Sequence, residues 1–80
     1  MMVSHCIRFK LNLSYAQYLA VYQGAAKTIT TLSDDGRRLV FPAVNVRSFL
    51  SPSGIQGHFE MELTERNQFV ALRLLDQNHG

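Results

Sequence analysis

Ser33-Asp34-Asp35-Gly36-Arg37-Arg38-Leu39-Val40-Phe41-Pro42 is the stretch on which the fold turns. Asp-Gly between two strand-like runs is a strong hairpin signal, because the tight turns that suit twisted strands need backbone conformations glycine adopts freely. Upstream, Lys27 to Leu32 is rich in threonine and β-branched residues and predicts the outgoing strand. Arg37 to Phe41 predicts the returning one. Pro42 has no N–H to give to a ladder, so the returning strand ends there or lies at a sheet edge.

Working outward, His5 to Leu13 alternates with period two. Ile7, Phe9, Leu11 and Leu13 face one way and Arg8, Lys10 and Asn12 the other, the pattern of a half-buried strand. Ser14-x-x-Gln17 then predicts a capping box that opens a short helix. Tyr15, Tyr18, Leu19 and Tyr22 fall on one helical face, and Gly24 is placed to end the helix as a left-handed cap. Such a helix is too short to persist alone, so it must dock. Beyond Pro42, Val44 to Leu50 reads equally as a helical turn or an irregular strand, and Ser51-Pro52-Ser53-Gly54 as a loop. Ile55, Gly57, Phe59, Met61 and Leu63 alternate with Gln56, His58, Glu60 and Glu62, predicting another half-buried strand. Thr64 to Asn67 turns the chain. Phe69 to Leu75 makes the last strand, with Val70, Leu72 and Leu74 on one side.

The order strand, helix, then four strands in two hairpins predicts an α+β fold: one short helix on a curved, largely antiparallel sheet of about five strands. Gly57 inside a strand marks a bulge or bend, which favours curling toward a partial barrel. Residues 1–75 are expected to form one small domain and residues 76–80 a polar tail.

Eighty residues, 46% hydrophobic and 18% charged, are the composition of a globular chain rather than a disordered one. At this size a chain buries roughly 60% of the surface it exposes when unfolded. That allows one thin core and little room for a deep active site. The single cysteine, Cys6, rules out an internal disulfide. No charged N-terminal region precedes an apolar run, and no apolar run approaches the roughly 20 residues that span a bilayer. A cytoplasmic location without membrane contact is therefore expected. A net charge of +2 permits an acidic partner without demanding one.

Several pieces then fit one pattern. Leu11-Asn12-Leu13-Ser14-Tyr15, Tyr22-Gln23-Gly24-Ala25-Ala26-Lys27, Gly36-Arg37-Arg38, Phe41-Pro42-Ala43, Arg47-x-Phe49-Leu50, Gly54-Ile55-x-Gly57-x-Phe59 and Asn67-x-Phe69 together resemble the bacterial family catalogued as domain of unknown function 2835. The resemblance runs over roughly residues 9 to 75, with Ser48 standing where a proline is expected after Arg47. It implies a small bacterial protein and brings no activity.

The candidate binding residues are Arg37, Arg38 and Arg47, with Lys27 brought near if it pairs across the hairpin and Phe49 as a stacking group. Arginine forks take phosphates and carboxylates in bidentate fashion, and an aromatic beside them can stack a ring. The plainer alternative is that Arg37 and Arg38 solvate the turn and pair with Asp34 or Asp35. His58, Glu60 and Glu62 share a strand face, but a metal site needs about three or four ligands and no second cluster is evident. A nucleophilic Cys6 would need a base, and the neighbouring His5 points to the opposite strand face. Tyr15, Tyr18 and Tyr22 read as packing with hydroxyls at the rim. No phosphate loop, cofactor motif or catalytic constellation is present. The sequence therefore favours a non-enzymatic binding module without cofactor, met by an acidic protein surface. Single-stranded nucleic acid is the alternative ligand, and pairing with a second copy through an edge strand stays open.

Overall fold

The computed structural model describes residues 4–76. Its elements are β1 (Ser4–Leu13), α1 (Tyr15–Gln23), β2 (Thr28–Leu32), β3 (Arg38–Pro42), a 3₁₀ helix over Ala43–Phe49, β4 (Ile55–Thr64) and β5 (Phe69–Asp76). They form a three-stranded sheet in the order β1-β4-β5 and a two-stranded sheet, β2-β3, all antiparallel. The sheet curls but does not close into a barrel. A bridge between Phe9 and Ser33 joins the two sheets, reinforced by the Asp34 N–H donating to the Arg8 carbonyl at 2.7 Å. Residues 77–80, most of the expected tail, lie outside the described residues, whereas Asp76 closes β5 opposite His58.

Strands β1 and β4 pair over their full lengths, from Ser4 opposite Thr64 to Leu13 opposite Ile55. This register puts Ile7, Phe9 and Leu11 beside Met61, Phe59 and Gly57 on the inner face, as the alternation predicts. Phe9 is fully buried, and its ring lies 5.4 Å from that of Phe41 and 5.8 Å from that of Phe59. The hairpin therefore shares its core with the large sheet.

The capping box at Ser14 and Gln17 is present in both directions. α1 buries Tyr18 and packs Val21 and Tyr22 against the core, while Tyr15 is exposed. The inward stripe is thus rotated from the expected one, with Val21 in place of Tyr15. Tyr18 donates its hydroxyl to the Ala43 carbonyl at 2.7 Å. That bond ties helix to connector, and a buried carbonyl left without it costs about 1–3 kcal/mol. Burial holds the Tyr18 phenol above its ordinary pKa, helped by Tyr22 and opposed by Arg47. Gly24 caps the helix in extended rather than left-handed conformation, its N–H bonded to the Val21 carbonyl. The chain leaves α1 straight, and the left-handed residue is instead Lys27, with φ of 56°.

The ambiguous 43–50 connector is a 3₁₀ helix. Its three-residue period stacks Ala43, Val46 and Phe49 on one side. Ala43 and Val46 are buried and Phe49 packs against the core, edge-on to Phe59 at 5.2 Å. Gly57 is a point of close approach: a Cβ there would meet the Leu74 side chain at 2.8 Å and the Asp76 carbonyl at 2.9 Å. Two register shifts in the β4–β5 ladder bend that edge. The second changes which residues pair. Phe69, not Val70, pairs with Leu63, so the expected side of Val70, Leu72 and Leu74 is broken at its first member.

Candidate functional site

The outer face of the β1-β4-β5 sheet is a lattice of charges. Cross-strand pairing aligns Arg8, Glu60 and Arg73 in one row. Glu60 accepts from the Arg8 Nε at 3.0 Å and from Arg73, which also donates to Glu62 at 3.2 Å. One row along, Asp34 from the hairpin turn meets the His58 Nε2 at 2.6 Å. Among the described residues, no three His, Cys, Asp or Glu side chains converge as metal ligands. The exposed Cys6 accepts a long contact from Arg73 at 3.6 Å. The His58-Glu60-Glu62 row is thus a paired structural surface.

Arg8 and then Arg73 hold the Glu60 carboxyl below its ordinary value, and Ser33 and Arg37 do the same for Asp35. A carboxylate whose pKa is lowered by folding stabilises the fold above its unfolded pKa and loses that contribution as pH falls through the folded one. The melting temperature is therefore expected to hold from neutrality down to the ordinary carboxylate values, 4.5 for Glu60 and 3.8 for Asp35, and to drop below them. Glu60→Gln should shrink that acid drop in a calorimetric pH series. An acid limb identical to that of the parent chain would remove Glu60 from the account.

The predicted basic residues are spread between the hairpin and the 3₁₀ helix. Arg37 and Arg38 sit at the turn end of the hairpin. Lys27 lies opposite Ala43, whose N–H donates to the Lys27 carbonyl. That is the far end, roughly 20 Å along the strand at about 3.3 Å per residue. Lys27 and Tyr22 line one shallow depression, and Arg47 lies over the Tyr22 ring at 5.4 Å, donating to its hydroxyl. Phe49 has its ring in the core. Arg37 donates to Asp35 across the turn, as the plainer sequence alternative anticipates. Arg38 has no ion pair among the described residues.

The feature that sequence adjacency does not disclose is a groove of about 580 Å³ where the curled sheet stays open. Its floor is the inner face of the molecule, from Ile7, Leu39, Phe41, Met61 and Leu63. Its rim is polar: His5 from β1, Arg37 and Arg38 from the hairpin, Asn45 from the 3₁₀ helix, Asn67 and Gln68 from the β4–β5 turn. Among the described residues, no carboxylate lines it. This volume lies within the range of ordinary ligand sites, and an apolar floor with a few polar groups at the rim is their usual make-up. The only sequence signal for it was the pair Arg37-Arg38. The other lining residues come from separate elements and meet only in the fold.

The fold and groove define a small α+β domain with an open, basic-rimmed apolar cleft. Residues 5–75 match the model of the family described as Protein of unknown function (DUF2835), nearly the whole chain, and the chain belongs to that family. No curated protein and no solved structure matches it. No helix among the described residues is long and apolar enough to cross a membrane.

Proposed function

We propose that the protein is a non-enzymatic binding module of the bacterial cytoplasm and that its ligand is an acidic segment of another protein held in the groove. The observation that carries this reading is the groove's composition: an apolar floor with Arg37, Arg38 and His5 at the rim and, among the described residues, no acidic side chain. Arg38 is the strongest contributor, because its charge is uncommitted while that of Arg37 is partly answered by Asp35. Lys27 and Arg47 form a second basic patch around Tyr22, separate from the groove, and extend the attraction at long range rather than the contact. The carboxylates that acid–base chemistry would require are neutralised by Arg8 and Arg73 on an open sheet face, which supports a binding role over catalysis. Nucleic-acid binding is less well supported, since Phe49, the ring expected to stack a base, packs edge-on to Phe59.

The test is an amide-resolved titration with polyglutamate and, separately, with a mixed-sequence single-stranded oligonucleotide, each at low and moderate salt. Polyglutamate should shift the amides of Arg37, Arg38 and the groove. Arg37→Glu/Arg38→Glu should weaken that binding at least about tenfold, or about 1.4 kcal/mol. The fold should survive, because both side chains are exposed. Salt-sensitive shifts with the oligonucleotide alone would replace this reading by nucleic-acid binding.

A further inference from the structure

Among the described residues, strand β3 pairs with β2 alone, so one of its edges is free. The hydrogen bonds bracketing the hairpin fix which backbone groups point to that edge. The Ser33 N–H donates to the Arg37 carbonyl, and the Ala43 N–H to the Lys27 carbonyl. In an antiparallel ladder, hydrogen-bonded and non-hydrogen-bonded pairs alternate. Within the observed register, Leu39 and Phe41 therefore spend their backbone groups on β2. Arg38 and Val40 point their N–H and C=O groups outward, and Pro42 its C=O. Proline sits at the one kind of strand position that loses no ladder bond, with its missing donor on the open side.

That free edge borders the groove. Leu39 and Phe41 contribute to its floor, while Arg38 and Val40, the latter 52% exposed, alternate with them along the strand and line the groove at its edge. We propose that the groove's ligand is an extended acidic peptide that adds to the free edge of β3 as a further antiparallel strand. This rests on the acidic-partner reading and specifies how the partner is held. A strand laid about 4.8 Å from β3 would exchange hydrogen bonds with Arg38 and Val40 and give one to the Pro42 carbonyl. Its residues opposite Leu39 and Phe41 would turn apolar side chains into the groove. Antiparallel addition brings the peptide's C-terminal part to Arg37 and Arg38, so its acidic residues belong there. Charge selects this occupant over a second copy of the chain, whose own β3 would bring two more arginines to the same edge. The free edge of β5 is interrupted by two register shifts and makes a poorer template, and the outer edges of β1 and β2 face each other across the Phe9–Ser33 bridge.

The experiment selects binders from a displayed library of short random peptides on the intact chain. It then follows amide exchange residue by residue with the best binder. The expected binders are acidic toward the C-terminus with alternating apolar residues. At peptide about 100-fold above its dissociation constant, exchange at Arg38 and Val40 should slow by up to about 100-fold, with Leu39 and Phe41 already protected beforehand. N-methylation of the peptide residue facing Val40 should abolish binding, and of the next residue should not. If acidic peptides bind but Arg38 and Val40 stay unprotected and N-methylation is neutral, strand addition is overturned and the acidic-partner reading survives. If no acidic peptide is enriched, both fall. A dimer in sedimentation with the same two amides protected without peptide would make a second copy the occupant and overturn the proposal.

Discussion

Gly54→Ala is expected to lower stability by about 3–5 kcal/mol. Gly54 has a φ of 105°, and a Cβ there would collide with the Leu13 carbonyl oxygen and stand within 2.8 Å of two Ser14 backbone atoms. Left-handed or related strain costs a side-chain-bearing residue about 1–3 kcal/mol. Pressing an atom into packed surroundings adds about as much. The obstacle is backbone, which cannot rotate aside as a flexible side chain can. It is also the junction where β1 ends and Ser14 caps α1, so relief of the clash would disturb both. At about 0.05–0.15 kcal/mol per residue, a domain of this length has a total stability of about 4–12 kcal/mol, so the loss takes a large share of it. The melting temperature should fall by more than about 12 °C. Gly36 supplies the control. Its φ of 86° is equally left-handed, but nothing lies within 4 Å of the added atom, so Gly36→Ala should cost only about 1–2 kcal/mol. Equal losses at the two positions in calorimetry would show that the 51–54 loop can lift away from β1, contrary to the packing described.

The two long strands were legible because each has one face in the core and one in water, so polarity alternates as strictly as the pleat. The hairpin was legible from its turn chemistry, and the helix start from Ser14 and Gln17, whose bonds are local. Each miss has a physical cause. The 3₁₀ helix buries residues at a spacing of three, which in a seven-residue segment resembles neither of the commoner periods. The ladder shift at Leu63 pairs it with Phe69 instead of Val70 without leaving a mark in the alternation of β5 itself. Glycine after a helix suggests a left-handed cap, but at Gly24 the chain continues in extended form. The site shows the same division. Arg37 and Arg38 are adjacent in sequence and stay together, whereas Arg47 and Phe49 are nearby in sequence but belong to a helix whose period separates them. Arg47 points to Tyr22 and Phe49 into the core. The groove joins residues as distant as His5 and Gln68, and only the β1–β4 register brings those ends together.

Phe9→Ala is expected to cost about 3–5 kcal/mol, the usual range for emptying a fully buried phenylalanine site. The more informative consequence is where the loss is felt. The hairpin joins the large sheet through a bridge at Phe9 itself and through ring contact between Phe9 and Phe41. A two-stranded hairpin is at best marginal on its own in water. The β1–β4 ladder, by contrast, keeps its full-length register and the pairing of β4 with β5. In the variant, amide protection at Leu39 and Phe41 should therefore fall well below that of Met61, whereas in the parent chain the three should open together. Uniform loss would show instead that the two sheets unfold as one unit even with the central ring removed. The outcome also bears on binding. The groove wall formed by Leu39 and Phe41 is only as rigid as the contact behind it, so a hairpin loosened at Phe9 should lose peptide affinity even though Phe9 does not line the groove.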